Sequence, residues 1–321
     1  MKIDTHNHVI PEEAIDLVNR EDVYNVRIQN RHWKGGAHVD FDMAESFMSP
    51  AAKLAELEKN GLEGAVVSVG PPLFYYDLEF EAGAAICQAV NAGLKRFTEH
   101  APDRFRWMAH VPLASPDGAA QMLEQAARDG ASGVEVATSI AGRRLDDPAF
   151  EVFWAATERL GLPVMIHPGY NESSKPLSDF YLQNVIGNML ETTIAVERLI
   201  CAGVLDRHPG ARILLVHSGG YFPYQAGRLK HARTVRPELS HAPADPWAYI
   251  GQLTFDTITH DAQALEYLVR RVGAENVVMG TDLPFDMATV RPMDALLAAV
   301  DKATAVRIAE TNPARMYRFG D

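Results

Sequence analysis

Short apolar segments alternate eight times with longer segments of helical pattern along this chain, and this alternation constrains the fold more than any other feature. The short segments are rich in Val, Ile, Leu and Met, which is typical of parallel strands that are covered on both faces. The eight predicted strands are Lys2–His8, Gly64–Gly70, Phe105–Leu113, Gly133–Thr138, Pro163–Pro168, Arg212–Ser218, Leu253–Ile258 and Asn276–Asp282. Because parallel strands need long crossover connections, the pattern predicts an α/β fold.

Helical patterns fill the spaces between these strands. They cover Pro50–Asn60, Phe80–His100, Pro116–Asp129, Pro148–Leu160, Leu190–Asp206, Asp261–Val272 and Pro292–Glu310. Eight strands with intervening helices predict a (β/α)8 TIM barrel. The alternative is a doubly wound open sheet, which ranks second because no GxGxxG motif follows the first strand and the number of strands suits closure.

Three connections are longer than is usual between elements of a barrel. The first, Val9–Ser49, separates strand one from its helix, so we expect a barrel with an insertion after strand 1. The second, Gly169–Met189, follows strand five, and the third, Arg233–Gly251, precedes strand seven. Insertions that follow strands lie on the face where barrel enzymes carry their active sites, so the first two are candidate lids or pocket walls. No linker or repeat divides the sequence, and we expect residues 1–321 to form a single domain.

Composition excludes several classes of partner. Among 321 residues, 30 are Lys or Arg and 42 are Asp or Glu, which gives a formal net charge of −12. Nucleic acids and anionic membrane surfaces both favour a basic face, so we expect neither partner. The sequence shows no uninterrupted run of 18 apolar residues, and we expect no membrane span and no secretory signal. Its two cysteines, Cys87 and Cys201, predict reduced thiols rather than a disulfide framework, which favours the cytoplasm.

Five polar residues lie at the ends of predicted strands. His6 and His8 are two residues apart in strand one, so their side chains face the same way, into the barrel. His167, His217 and Asp282 end the apolar runs of strands five, six and eight. Core packing requires none of them, and buried polar groups are costly unless they are satisfied. We therefore expect all five to meet at one pole of the barrel around a divalent metal ion.

The types of ligand narrow the choice of metal. Neutral imidazoles and one carboxylate suit Zn first, and also Mn, Fe or Co, and no thiolate is placed to help. We expect His6, His8, His167 and Asp282 to bind one divalent ion, with a position left for water. His217 then remains free to act as a general acid or base beside that water. The pattern predicts no organic cofactor.

The five residues resemble the set that defines the amidohydrolase superfamily, with HxH on strand one, His on strands five and six, and Asp on strand eight. The segments THNH, MIHPG, VHSGGYFPYQAGRLKHA and GTDLPF are similar to the branch that contains 2-amino-3-carboxymuconate-6-semialdehyde decarboxylase and γ-resorcylate decarboxylase. The resemblance extends from Ile3 to the closing ETNPARMYRF. It implies a metal-dependent barrel with the ligands and the acid or base named above.

The resemblance also bears on substrate binding and assembly. In the muconate-semialdehyde enzyme of this branch, an arginine shortly after the strand-six histidine helps to bind a substrate carboxylate across a dimer interface, and Arg228 occupies the matching position. The resemblance thus implies a homodimer or higher homo-oligomer. The resemblance does not place a second substrate-binding arginine of that enzyme: the corresponding stretch reads AESFMSP, and Arg27 and Arg31 lie earlier in the chain. Strand four, GVEVATS, lacks the lysine that bridges two metals in binuclear members, so one metal per chain is expected.

Aromatic residues near the same pole are candidates for the substrate pocket. Tyr170 follows the HPG turn, Phe285 follows GTDLP, and Phe47 lies in the first long insertion. Each could contact a planar substrate, although local packing is the simpler explanation for an aromatic residue in a barrel loop.

The function predicted first is metal-dependent, non-oxidative decarboxylation of a small unsaturated or aromatic carboxylic acid. The ion would orient this substrate, His217 would move the proton, and Asp282 would share that step. The alternative is metal-dependent hydrolysis of an amide or a lactone in the same barrel. A third possibility, a metal with a purely structural role, is disfavoured by the strand-end positions and by the long insertions.

Overall fold

The computed structural model describes residues 1–36, 39–169 and 175–320. Its strands are β1 (Ile3–Val9), β2 (Val26–Gln29), β3 (His32–Gly35), β4 (Val39–Asp42), β5 (Gly64–Val69), β6 (Phe105–His110), β7 (Gly133–Ala137), β8 (Ser139–Ile140), β9 (Arg143–Arg144), β10 (Val164–His167), β11 (Ile213–Leu215) and β12 (Leu253–Phe255). Over these ranges, seven strands form one parallel sheet in the order β1-β5-β6-β7-β10-β11-β12. They correspond to the first seven strands that the sequence predicts.

Helices follow the strands, as the alternation predicts. The α-helices are α1 (Glu12–Arg20), α2 (Pro50–Lys59), α3 (Phe80–Glu99), α4 (Pro116–Arg128), α5 (Glu151–Leu160), α6 (Met189–Cys201), α7 (Val204–Arg207), α8 (Phe222–Val235), α9 (Ala262–Val272), α10 (Pro292–Ala299), α11 (Lys302–Val306) and α12 (Asn312–Tyr317). The sequence pattern does not predict α8, because its apolar residues are spread around the helix axis. Within the described ranges, no helix combines the length and hydrophobicity that a membrane crossing requires.

Two predicted helices are divided in the structure. The helix predicted over Leu190–Asp206 stops at Cys201, and α7 starts after Gly203, whose φ of 70° interrupts a right-handed helix. The helix predicted over Pro292–Glu310 breaks between α10 and α11. There the Asp301 carboxylate accepts hydrogen bonds from two backbone N–H groups of the next turn, which starts a new helix. Both predictions were right in helical content and wrong in continuity.

The eighth position of the barrel holds a segment that forms no ladder strand. The sequence predicts a regular strand over Asn276–Asp282, and the structure replaces it with two isolated parallel bridges. One bridge pairs Val277 with β12, and the other pairs Leu283 with β1. We call residues 277–283 the closing segment, because it joins both edges of the seven-stranded sheet and completes the barrel.

The closing segment is irregular because of its local geometry. Asp282 has a left-handed backbone with a φ of 68°, which no ladder strand accommodates. A Cβ atom at Gly280 would lie 2.9 Å from the Cβ atom of His6 and 3.0 Å from that of Asp256. Only glycine therefore fits between these neighbours. A hydrogen bond of 2.7 Å from Asp282 N to His6 O holds the segment against β1.

A β-bulge in β1 turns the first two histidines into the barrel. The register of β1 against β5 shifts between Asp4 and Asn7, so β1 contains one extra residue there. Ile3 belongs to the buried apolar cluster that also contains residues of β5, β6, β10 and β11. Under strict alternation Ile3 and His6 would face opposite sides of the sheet. The extra residue lets both side chains face the interior.

The insertion after strand 1 is folded and is not a plain surface loop. It contains α1 and a three-stranded antiparallel sheet of β2, β3 and β4. Trp33 of β3 is fully buried, and its ring centroid lies 6.3 Å from that of Phe41 on β4. The insertion returns to the barrel at a hydrogen bond of 2.8 Å from Ile10 N to Phe47 O. Its aromatic side chains therefore pack beside the carboxyl end of β1.

Candidate metal centre

The five polar side chains predicted at strand ends meet at one pole of the barrel. His6 and His8 lie on β1, His167 ends β10, His217 follows β11, and Asp282 lies on the closing segment. The ring centroid of His6 lies 5.1 Å from those of His8 and His167 and 5.2 Å from that of His217. All five residues are buried. The structure thus brings together the complete set that the sequence singles out.

Hydrogen bonds orient three of the imidazole rings. Each Nδ1 atom lies within hydrogen-bond distance of an oxygen acceptor. The three pairs are His6 with the Asp256 carboxylate at 2.7 Å, His8 with the Val69 carbonyl at 3.0 Å and His167 with the Pro168 carbonyl at 2.7 Å. Nδ1 therefore donates in each ring, which leaves Nε2 as the atom that can bind a metal. Outer hydrogen bonds of this kind are typical of histidines that ligate a metal.

The three Nε2 atoms converge on the carboxylate of Asp282. Nε2 of His8 lies 3.1 Å from Asp282 Oδ1, and Nε2 of His6 lies 3.5 Å from it. One ligand atom from each of four residues lies within 4.8 Å of the others: His6, His8, His167 and Asp282. In the described part of the chain, none of the three Nε2 atoms nor Asp282 Oδ1 has a hydrogen-bond partner, although all are buried. Because buried lone pairs without partners are costly, this donor set fits a divalent metal ion.

The electrostatics of the site favour neutral imidazoles around an anion. Burial and the charges of the neighbouring histidines lower the pKa of His167 well below its ordinary value. Burial also lowers the pKa of His8, although its contact with Asp282 opposes this shift. Burial alone would raise the pKa of Asp282, but its contacts with His217 and His8 hold that pKa well below the ordinary value. Asp282 is therefore ionised at neutral pH, while His8 and His167 keep lone pairs for a metal.

His6 differs from the other two histidines of the ligand group. Burial lowers its pKa, but the hydrogen bond to Asp256 and the charges of Asp282, Asp256 and Asp4 outweigh burial and raise the pKa to about 9. A divalent ion that binds His6 Nε2 must therefore displace a proton at neutral pH.

His217 lies beside the ligand group rather than within it. Its Nε2 atom is 3.7 Å from Asp282 Oδ2, and its Nδ1 atom is buried with no hydrogen-bond partner among the residues described. Its backbone N–H donates to Asp256 Oδ2 at 2.8 Å, and its φ is 50°. A left-handed backbone costs a residue with a Cβ atom roughly 1–2 kcal/mol, so this hydrogen bond helps to hold the strained conformation. The ring is placed to exchange a proton with a group next to Asp282.

Asp256 connects His6 with His217 and is not among the site residues predicted from the sequence. Its Oδ2 accepts hydrogen bonds from His6 Nδ1 and from the His217 backbone. Its Oδ1 accepts hydrogen bonds from Ser218 N at 2.6 Å and from Ile258 N at 3.1 Å. Burial alone would raise the pKa of Asp256, but the His6 hydrogen bond and the nearby histidines hold it below its ordinary value. The signal in the sequence was its position directly after the apolar run of β12.

Aromatic side chains cover one side of the histidine cluster. The ring centroid of Phe285 lies 5.2 Å from that of His8, and Phe47 lies 5.0 Å from Phe285. Phe47 is only 1% exposed, and Phe41 packs next to it. Phe285 is therefore in contact with a candidate ligand, whereas Phe47 packs behind Phe285. Tyr170, the third predicted pocket residue, lies outside the described residues.

Arg228 lies on α8, the helix that begins five residues after His217. Its side chain is exposed, so it is not part of the buried cluster of its own chain. Any contact with a bound substrate would therefore require that this exposed face of α8 meet another site.

Strand β7 contributes one buried carboxyl group and no lysine to the barrel. Glu135 pairs in register with Met165 of β10, which packs inside the barrel, so the Glu135 side chain also faces the interior. Burial raises the pKa of Glu135 well above its ordinary value. Its carboxyl oxygens do not belong to the four-residue ligand group found in the described ranges. That group defines one metal position.

Fold and site together define a class of protein: a parallel barrel with a buried centre of histidines and a carboxylate for a divalent metal ion. The family model described as Amidohydrolase matches residues 3–319. The chain therefore belongs to the amidohydrolase family, and the resemblance read from its sequence is confirmed.

Decarboxylases are among the similar proteins. The chain is 27% identical over 301 residues to the 2-amino-3-carboxymuconate-6-semialdehyde decarboxylase of Dictyostelium discoideum, covering 91% of this chain and 84% of the relative. The apo structure of IDCase from Metarhizium anisopliae matches with a TM-score of 0.89 and 21% identity, covering 100% of this chain and 98% of that one. A dihydroxybenzoic acid decarboxylase from Polaromonas sp. JS666, solved with bound manganese and the inhibitor 2-nitroresorcinol, matches with a TM-score of 0.76 and 20% identity, covering 100% of this chain and 97% of that one. The two structures support the barrel fold.

Proposed function

We propose that this chain is a metal-dependent, non-oxidative decarboxylase of a small unsaturated or aromatic carboxylic acid. One observation carries the proposal: three buried Nε2 atoms converge with Asp282 beside His217, whose Nδ1 has no hydrogen-bond partner among the described residues. A metal ligand set next to an uncommitted acid or base can support removal of CO2 and return of a proton. The curated decarboxylase at 27% identity supports this reaction class.

The proposed metal is one divalent ion per chain. His6, His8, His167 and Asp282 would hold it, with Zn as the first choice and Mn, Fe or Co as alternatives. When bound, the ion supplies a Lewis acid that stabilises negative charge on the substrate. The bound manganese of the Polaromonas structure supports a divalent ion in a barrel of this kind. The proposal includes no organic cofactor, because a conjugated carbonyl, imine or phenol of the substrate can hold the electron pair.

The side chains of the site then have separate tasks. Loss of CO2 leaves the electron pair of the broken carbon–carbon bond on the substrate, and a proton must take the place of the carboxyl group. His217 would deliver this proton, and Asp282, with Oδ2 3.7 Å from His217 Nε2, would share it. Phe285 and Tyr170 would provide aromatic surface for a planar substrate, while Phe47, buried behind Phe285, would support that surface.

Product analysis tests this proposal against hydrolysis of an amide or a lactone. Metal-loaded protein is incubated with a panel of muconate and hydroxybenzoate acids and, in parallel, with amides and lactones, and released CO2 is measured together with the mass of the product. Decarboxylation removes one carbon, whereas hydrolysis adds water and keeps every carbon. Release of CO2 from at least one acid is expected. Hydrolysis of an amide or lactone without CO2 release would overturn the proposal.

A His217→Asn variant tests the role of that residue separately. We expect it to keep its metal and to lose about 10²–10⁴-fold in kcat, which is the usual contribution of a general acid or base. Full activity with a full metal content would remove His217 from the mechanism.

We propose further that two copies of this chain associate through the face that carries Arg228. Large apolar side chains are exposed on α8 and on the segment around Ile186: Val185, Ile186, Leu190 and Tyr224. Tyr221, directly before α8, donates a hydrogen bond of 3.3 Å from its hydroxyl to Ile186 O, which joins the two exposed segments. Exposed apolar patches of this kind often mark protein interfaces. Association would bring Arg228 to the site of the second copy, where it would bind the substrate carboxylate.

Mixed oligomers test the crossing of Arg228 between copies. In a mixed dimer of Arg228→Ala and His217→Asn chains, one site keeps both residues if Arg228 acts in the neighbouring copy. Random exchange of equal amounts would then restore about a quarter of wild-type activity. If Arg228 acts in its own chain, mixing restores nothing. If Arg228 has no role, the Arg228→Ala chain is already active without mixing, which also contradicts the proposal.

We also infer that the chain works in a reducing compartment, the cytoplasm. Cys87 is buried, Cys201 is partly buried, and both are free. Burial raises the pKa of each thiol, which disfavours reactive thiolates. Thiol titration of the unfolded chain, taken from its native cells, should find both cysteines reduced.

A further inference from the structure

A buried carboxylate, Asp4, links β1 to the closing segment where no ladder joins them. Asp4 Oδ1 accepts hydrogen bonds from His6 N at 3.2 Å and from Thr281 N at 3.0 Å. Asp4 Oδ2 accepts a hydrogen bond of 2.6 Å from the Thr281 hydroxyl. One side chain thus holds the backbone of a candidate ligand, His6, and the residue before another, Asp282.

The bulge explains why a carboxylate is needed at this position. It disturbs the ladder between β1 and β5 at Thr5 and His6, so the His6 N–H needs another acceptor. Asp4 supplies this acceptor and is itself fully buried. Charges of His6 and of Lys53 support the Asp4 carboxylate. Lys53 lies on α2 and is also fully buried, and its Nζ donates to His8 O at 3.2 Å and pairs with Glu56 at 3.2 Å.

Thr281 connects Asp4 with the turn at Asp282 through hydrogen bonds. Its hydroxyl donates to Asp4 on β1 and accepts a hydrogen bond of 3.1 Å from Leu283 N, the residue after Asp282. The Thr281 hydroxyl therefore links β1 to the backbone that follows Asp282. Asp282 itself has a left-handed φ of 68°, which a residue with a Cβ atom adopts only when its surroundings impose it. The Asp4–Thr281 pair is the side-chain contact that fixes this turn to β1.

We propose that Asp4, acting through Thr281, is the positioning residue that aims the Asp282 carboxylate at the three histidines and so sets the affinity for the metal. Asp4 does not touch the ion in this proposal. The inference rests on the metal centre of the proposed function and adds the element that determines its geometry. Outer residues that orient metal ligands commonly change metal affinity by about 10–100-fold when they are replaced.

Three variants of similar shape test the proposal. Thr281→Val removes the hydroxyl from both of its hydrogen bonds, and Asp4→Asn replaces one acceptor with a donor. Thr5→Val is the matched control, because the Thr5 hydroxyl donates to Met279 O at 2.9 Å across the same contact but does not reach the Asp282 turn. Metal affinity is measured by competition with a chelator, and the geometry is measured by the absorption spectrum of the Co(II)-loaded protein.

We expect Thr281→Val and Asp4→Asn to bind metal about 10–100-fold more weakly and to alter the Co(II) spectrum. Thr5→Val should lower the melting temperature about as much as Thr281→Val does, while its metal affinity and Co(II) spectrum stay close to those of the wild type. Equal affinity losses in Thr281→Val and Thr5→Val, or none in Thr281→Val, would overturn the positioning role. If the wild-type chain itself binds no metal, the proposed function fails instead. Should Asp4→Asn not fold, the comparison of the two threonine variants decides alone.

Discussion

Replacement of Asp256 by asparagine tests how the metal centre is built, because this residue connects a candidate ligand with the proposed acid or base. The amide oxygen can keep the two hydrogen bonds from Ser218 N and Ile258 N. The amide NH2 then faces His6 Nδ1 and the His217 N–H, which are both donors at 2.7 and 2.8 Å in the wild-type chain.

Two consequences follow from this mismatch of donors. The His217 N–H loses its acceptor, which costs about 1–3 kcal/mol of stability for a buried group. The His6 ring can regain a partner only if Nδ1 accepts from the amide and the proton moves to Nε2, the atom that binds metal. We therefore expect a loss of about 10–100-fold in metal affinity, which corresponds to about 1.4–2.8 kcal/mol.

Chelator competition on the purified variant measures this loss. Asp261→Asn is the matched control, because it removes the same charge five residues away, at the exposed N-cap of α9. We expect this control to bind metal like the wild type. Equal metal affinity in Asp256→Asn and Asp261→Asn would refute the argument that the Asp256 hydrogen bond sets the tautomer of His6.

Burial lowers the pKa of His110 to about 4. Between pH 6.5 and about 4, His110 is therefore protonated in the unfolded chain but not in the folded chain. As the pH is lowered from 6.5 to about 4, this group should reduce the free energy of unfolding by about 1.4 kcal/mol per pH unit. Denaturant titrations of His110→Asn should show a smaller decrease over the same pH range, and an equal decrease in both proteins would exclude the effect. Removal of the metal should lower the melting temperature, because a free ion at a thousandfold excess over its Kd stabilises the folded chain by about 4 kcal/mol. An unchanged melting temperature would show that the ion does not bind the folded state. Phe285→Ala should raise KM roughly 3- to 10-fold at constant metal content, because an aromatic contact contributes about 0.5–1.5 kcal/mol, and loss of the metal in this variant would contradict a role in substrate contact alone.

The candidate site was predictable because its residues share one simple property. His167, His217 and Asp282 each end an apolar run, and parallel strands bring such ends to the same pole. Asp256 was missed because the predicted strand extends over Leu253–Ile258 and encloses it, whereas the observed strand β12 ends at Phe255. A predicted strand that ended at Phe255 would have placed Asp256 with the other polar residues at strand ends.

The regular part of the fold was equally accessible, and its irregular parts were not. Apolar runs predict seven ladder strands, but no pattern of hydrophobicity encodes the left-handed backbone of Asp282 or the bulge after Asp4. Both depend on contacts between residues more than 270 positions apart, as in the hydrogen bonds from Thr281 to Asp4. The break at Gly203 was visible as a glycine, yet an isolated glycine often stays within a helix, so its effect depends on packing.

Metal content per chain tests the proposed metal centre most directly. Protein purified without chelator or affinity nickel is analysed by elemental mass spectrometry before and after chelation. The arrangement of His6, His8, His167 and Asp282 predicts close to one equivalent of a divalent metal that chelation removes and that returns on reconstitution. Two equivalents would contradict a mononuclear centre, and failure to take up any metal after reconstitution would contradict the metal centre itself.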